Sequence, residues 1–172
     1  MGMDVYGKKP SSRTGEYFRR NVWGWRPLWD YVENQHPEIA ELVQYPQSND
    51  GDGLGARDSK KLAKLLMADY ESGKVEEYVV ERNRKLAEIP MDECDICDST
   101  GIRTDEVGIE NKMPEKELDP DVSIILGREK GWCNACQGLG KREPIQTWYY
   151  LDSEDVKQFA EFLAECGGFE IC

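Results

Sequence analysis

This 172-residue sequence predicts an α+β fold, a mainly helical domain interrupted by a β-hairpin or knuckle insert held together by cysteine. Three observations predict it. Apolar residues recur every three or four positions between 15 and 87 and again between 152 and 166, the period of a helix with one buried face. Short runs at 123–126 and 146–151, β-branched in the first and aromatic in the second, read as strands. Between the helical stretches, two Cys-x-x-Cys pairs bracket a polar segment too poor in apolar residues to build its own core.

The elements follow in order. Residues 1–14, rich in Gly, Ser, Lys and Pro, read as an irregular arm. From Gly15 a helical stripe runs through Phe18, Val22, Trp25, Trp29 and Val32. Pro27 falls inside it, where it removes a hydrogen bond and crowds the preceding turn. The reading is therefore a short helix to about Val22, a bend at Gly24 and a second helix with Pro27 in its first turn. Pro37 starts a third helix over 38–43, and 46–55 is a glycine-rich acidic loop. A helix over 56–72 buries Leu62, Leu65, Leu66 and Tyr70 and stops at Gly73. The next, over 75–87, presents Val75, Tyr78, Val79 and Leu86 and is ended by Pro90. After the cysteine segment, Asp152 or Ser153 caps a last helix with Val156, Phe159, Leu163 and Cys166 inward. Gly167 and Gly168 close it, and 169–172 adds an edge strand. The organisation expected is a helical region with a basic aromatic head at 1–90, a metal-binding insert at 91–143, and a strand plus C-terminal helix at 144–172 packing on the helical region. Together these form one compact domain.

Charge narrows the partners. The chain carries 34 acidic against 22 basic side chains, a net −12. A surface of that sign repels the phosphate backbone of extended nucleic acid, which needs clustered Lys and Arg. The exception is residues 1–29, where Lys8, Lys9, Arg13, Arg19, Arg20 and Arg26 face only Asp4 and Glu16, a balance of +4 that leaves −16 for the remainder. No apolar run approaches the roughly 20 residues that cross a bilayer, and the first residues lack the apolar stretch of a secretory signal. Tyr6 stands where an N-myristoylation signal needs Ser or Thr. The expectation is a soluble, cytoplasmic protein.

The two pairs, Cys94/Cys97 and Cys133/Cys136, are separated by 35 residues. Each pair places two thiolates on one tight turn, and two such turns complete a tetrahedron around zinc. Gly101, Gly138 and Gly140 follow the pairs, where backbone amides must turn toward sulfur and positive φ is needed. In small modules, structural zinc supplies about 10–16 kcal/mol of folding free energy, which a coreless polar segment requires. Two disulfides fit poorly without a secretory signal. A redox Cys-x-x-Cys usually comes singly in a βαβ setting. An iron–sulfur cluster uses the same number of thiolates and stays open as an alternative. The expectation is one structural zinc with all four positions filled, so no coordination site remains for a catalytic water. Cys166 and Cys172 read as free thiols.

Cys133-Asn-Ala-Cys136-Gln-Gly138-Leu-Gly140 resembles the Cys-x-x-Cys-x-Gly-x-Gly repeat in the zinc-rich region of DnaJ-type chaperones. Cys94-Asp-Ile-Cys97-Asp-Ser99-Thr-Gly101 resembles it too, with Ser99 in place of the first glycine. The likeness covers about 50 residues and implies zinc. That family's region has four repeats and two metal sites, and here there are two repeats. A J-domain needs His-Pro-Asp, whereas this chain has His36-Pro37-Glu38. The remainder, with Gly15-Glu-Tyr-Phe-Arg and Trp25-Arg-Pro-Leu-Trp, resembles an uncharacterised family of bacterial and phage proteins, a likeness that implies no activity.

No catalytic constellation stands out, because His36 is the only histidine and neither a triad nor a two-histidine metal site can form. The sequence therefore reads as a non-enzymatic zinc-containing protein that binds a partner protein. A phage-type inhibitor of a host system is one specialisation of that reading. An alternative uses Tyr17, Arg19, Arg20, Trp23 and Arg26 to bind a small anionic ligand such as a nucleotide, guanidinium on phosphate and indole on base. Simple ion pairing of these arginines with the acidic body competes with it. A second alternative is a metal-dependent hydrolase with an acidic site at Asp50, Asp52 or Asp58. The Ser48–Gly53 run lacks a calcium loop's twelfth-position Glu, since Ser59 stands there.

Overall fold

The computed structural model describes residues 2–172. About 49% of the residues are helical and 13% lie in strands, and both sheets are small and antiparallel, which bears out the α+β class. The chain divides into two compact units, Met1–Leu86 with Trp148–Cys172, and Ala87–Thr147. Among the described residues no helix is long and apolar enough to cross a membrane.

The first unit is built on a three-stranded antiparallel sheet in the order β2-β1-β5. β1 (Gly2–Gly7) is central, β2 (Tyr17–Asn21) pairs along its length, and β5 (Phe169–Ile171) covers its other edge. Side chains alternate as strand geometry demands. Met3, Val5, Phe18, Phe169 and Ile171 are buried, while Asp4, Tyr6, Tyr17 and Arg19 lie on the opposite face. Two expectations are corrected here. The irregular arm at 1–14 contains the central strand, and 17–21 is a strand where a short helix was expected. Phe18 lies inward in either geometry, so its burial does not distinguish them; pairing with β1 does.

α1 (Val22–Gln35) starts at an Asn21 cap, whose Oδ1 accepts the Gly24 N–H at 2.9 Å. It then continues without interruption through Gly24 and Pro27, where a break and restart are expected. The hydrogen bond lost at Pro27 is offset by burial of Trp25, Leu28, Trp29, Tyr31 and Val32 on the same helix. Burying each such side chain contributes about 1.5–3 kcal/mol. α2 (Pro37–Ala40) is one turn long. α3 (Ala56–Glu71) and α4 (Lys74–Ala87) stand where their periodicity placed them, and so does α7 (Ser153–Glu165), with Asp152 as its cap. Trp25 stacks on Trp29 at 5.7 Å and meets Phe159 edge-on at 5.6 Å, and Phe18 reaches Phe159 at 5.0 Å, so α1, α7 and the sheet share one aromatic core.

A buried polar junction ties the ends of these helices. Asp69 Oδ2 accepts the Tyr31 hydroxyl at 2.9 Å and lies 2.8 Å from His36 Nε2, while Lys74 Nζ donates to Oδ1 at 3.2 Å. Burial works to raise the Asp69 carboxyl, but these three bonds together outweigh it and hold the group below the usual carboxylate range.

The second unit has little regular structure. β3 (Asp92–Glu93) and β4 (Lys141–Arg142) form a two-residue antiparallel ladder at its base. α5 (Glu106–Glu110) and α6 (Pro120–Leu126) are short, and a 3-10 turn covers Met113–Glu115. The expected strand at 123–126 is the body of α6. Asp119 Oδ1 accepts the Asp121 N–H at 3.0 Å, Pro120 occupies the first turn, and Gly127 closes the helix in the left-handed region. Signals at both ends thus overrule the β-branched composition between them. The strand expected at 146–151 does not form: a 3-10 turn covers Ile145–Trp148, where the Thr147 N–H and hydroxyl both donate to Pro144 O, and 149–151 are irregular.

Candidate metal centre

The buried centre of the second unit consists of Cys94, Cys97, Cys133 and Cys136, with Ala135 packed beside them. The four sulfurs lie within 4.8 Å of one another. Cys94 Sγ is 3.9 Å from Cys133 Sγ, and Cys97 Sγ is 3.7 Å from Cys136 Sγ. A tetrahedron with metal–sulfur bonds of about 2.3 Å has edges of about 3.8 Å, so these separations fit one shared cation. A disulfide would need about 2.05 Å, and all six cysteines of the chain are free thiols.

The two cysteine turns are built alike. Ser99 N–H donates to Cys94 O and Gly138 N–H to Cys133 O, while Thr100 N–H donates to Cys97 O and Leu139 N–H to Cys136 O. In each turn the amide four residues after the second cysteine points at its sulfur. Gly101 N–H donates to Cys97 Sγ and Gly140 N–H to Cys136 Sγ, both at 3.2 Å. The backbone reaches these positions through left-handed conformations at Asp98, Ser99 and Gly101, repeated at Gln137, Gly138 and Gly140. Ser99 thus adopts φ +62° where the second turn has glycine at +81°. The turns also cross. A Cβ on Gly101 would lie 2.1 Å from Gly138 O, and one on Gly140 would lie 2.2 Å from Ser99 O. Glycine is needed at both for the left-handed φ and for the contact.

Arg128 clamps the crossing. Its guanidinium donates to Thr100 O at 3.0 Å, Gly101 O at 3.1 Å and Gly138 O at 2.9 Å. One cation thereby joins both turns and places positive charge beside the thiol cluster. No local signal in the sequence marks this arginine. Its role follows from a fold that brings 100, 101 and 138 to one place.

The chemistry of the donor set is that of a soft-metal site. Burial pushes the Cys136 thiol up to about 12 and also raises Cys97. At Cys94 burial acts in the same direction, but the Ile96 amide and the neighbouring thiols overcome it and lower the group. Without a cation, four buried thiols cannot all ionise. A cation ligated by all four would supply the missing charge. Among the described residues, no other group of His, Cys, Asp or Glu is arranged to hold a metal. Asp52 instead spends both oxygens on the Tyr45 and Gly53 amides at 2.8 and 2.7 Å, and Asp50 accepts from the Ser48 hydroxyl. Asp58 lies in the first turn of α3.

The basic aromatic head has three separate settings. Tyr17 and Arg19 lie together on the outer face of the sheet, both meeting Asp4. Arg20 points the other way, as strand alternation requires, to pair with Asp155 at 2.8 Å. Trp23 and Arg26 share a partner on α1's outer side. Trp23 packs on Tyr149 at 4.7 Å and on Trp148 at 5.6 Å, and Arg26 donates to the Tyr149 hydroxyl at 2.8 Å. Two of the three arginines therefore meet carboxylates and the third meets a phenol.

The likeness to DnaJ-type repeats rests on the two cysteine turns alone. No family model, curated protein or solved structure matches this chain.

Proposed function

We propose that the second unit holds one structural zinc ion and that, so held, it serves as a docking module for a partner protein. The observation that carries this reading is α6. None of its residues is buried, and Ile124 and Ile125 are 80% and 75% exposed. A short helix that leaves two isoleucines this exposed, with only Leu126 turned toward its own unit, has apolar side chains available to another molecule. The rest of the unit supports this reading. Its buried residues are chiefly the four cysteines, several glycines and Leu118, so few of its apolar side chains are taken up by packing.

We read the cation as zinc, which four thiolates in a closed tetrahedron suit. With every ligand supplied by the chain, the ion gives shape and leaves substrate no position. Purified protein should carry about one zinc per chain. Cys133→Ser should lose it, while Cys172→Ser, at the exposed C-terminus, should keep it. Iron in place of zinc, or a metal-free protein that melts like the loaded one, would contradict the structural role.

The docking role is tested by photo-crosslinking. A photoreactive residue at Ile125 should give one discrete heterologous adduct in cells that make the protein, while the same residue at exposed Asn111 should not. Equal labelling at both positions would overturn the docking reading.

A further inference from the structure

The surroundings of α6 say what kind of partner would cover it. Asp121 lies one turn before Ile124 and Ile125, three and four positions away, and so on the same side of the helix. Glu117 and Asp119 lead into the helix and Glu129 follows it, all exposed. Asp119 caps the helix. The carboxylates of Glu117, Asp121 and Glu129 have no ion-pair partner among the described residues. Two of the nearby bases are engaged elsewhere. Arg128 is spent on three backbone carbonyls, and Lys116 lies over the Trp132 ring at 4.7 Å. Lys130, whose backbone bridges Glu117, is one base against four acids. Leu126 turns inward beside Gly138, leaving the two isoleucines outward, and Leu139, next along the chain, is 52% exposed.

Resting on the docking role proposed above, we propose that the α6 surface receives a cationic amphipathic segment of a partner protein. Apolar side chains of that segment would cover Ile124 and Ile125, while Lys or Arg would flank them against Glu117, Asp119, Asp121 and Glu129. Charge argues against the other occupants. A second copy related by a twofold axis would set the same acids against themselves, on a chain of net −12. An anionic lipid surface would be repelled for the same reason.

The test uses the full, zinc-loaded chain and two fluorescent peptides of about 14 residues, a helical Leu/Lys pattern and the same pattern in Leu/Glu. Binding is read by anisotropy at low salt. The Leu/Lys peptide should bind at least about tenfold more tightly than the Leu/Glu peptide, and salt near 0.5 M should weaken it. Ile124→Ser with Ile125→Ser should cost about tenfold or more in affinity, and Glu117→Lys with Asp121→Lys should reverse the preference between peptides. Both pairs lie on the surface, so zinc content and melting should match the parent protein. Binding of Leu/Lys that ignores the isoleucine substitutions would overturn the proposal, because diffuse charge alone would then explain it. So would failure of both peptides, or self-association in sedimentation that the isoleucine substitutions abolish. A discrete crosslink at Ile125 together with no preference for Leu/Lys would leave docking standing and refute its charge.

Discussion

Arg128→Ala isolates the side-chain clamp between the two cysteine turns, which the Cys94 N–H to Gly140 O bond also joins. The guanidinium makes three bonds of 2.9–3.1 Å to main-chain carbonyls, and two of these, on Gly101 and Gly138, belong to buried residues. Removing the side chain leaves those two oxygens without their donor, while Thr100 lies at the surface, where water replaces the bond. Counting the two buried bonds at about 1–1.5 kcal/mol each gives about 2–3 kcal/mol. That loss falls on the metal-bound form, because metal binding and ordering of the unit are one event. It should therefore appear as zinc affinity weakened by about 30- to 150-fold. Competition with a chromophoric chelator measures this directly. Arg128→Lys keeps the charge without the planar fork and should recover only part of it. Affinity of Arg128→Ala within about threefold of the parent would refute the clamp, since the bonds would then contribute nothing that water does not replace.

Two substitutions in the cysteine turns should act in opposite directions. Gly140→Ala places a methyl 2.2 Å from Ser99 O at φ +75° and should destabilise the loaded unit by more than about 2 kcal/mol. Ser99→Gly relieves an exposed left-handed residue at φ +62° and should stabilise by about 0.5–1 kcal/mol. Equal effects of the two in urea titrations of the zinc form would contradict the backbone account. In the first unit, Asp69→Asn should cost about 2–3 kcal/mol near neutral pH, through weakened bonds to Tyr31, His36 and Lys74. Because the folded Asp69 carboxyl is depressed, its contribution is complete above the unfolded value of about 3.9 and is lost as pH falls through the lower folded one. The variant should therefore show a shallower loss of stability on acidification. Parallel acid limbs in urea midpoints, followed by tryptophan fluorescence, would show that Asp69 carries no such linkage.

Where the signal is local, the sequence determined the outcome. α3, α4 and α7 each carry a buried stripe and an end marked by Gly73, Ala87 before Pro90, or Gly167, so each reads correctly within its own window. The cysteine cluster is legible for the same reason. A Cys-x-x-Cys turn with glycine four residues after its second cysteine is a self-contained loop, and two of them suffice to pick out the four cysteines that the structure brings together. The short tail at 169–171 is likewise the edge strand that its position after the last helix predicts.

Tertiary structure decided what local pattern left ambiguous. β1 is a strand because residues at both ends of the chain pair with it, Tyr17–Asn21 on one edge and Phe169–Ile171 on the other. A six-residue segment of Gly, Met, Asp, Val and Tyr carries no such information itself. α1 continues through Pro27 because the buried faces of Trp25, Trp29 and Tyr31 outweigh one missing hydrogen bond. Arg128 becomes the clamp only when carbonyls 27 or 28 residues before it and ten residues after it converge. Backbone hydrogen bonds and burial are supplied by neighbours in space, so an element whose partners are distant in sequence is fixed only when the chain has closed on itself.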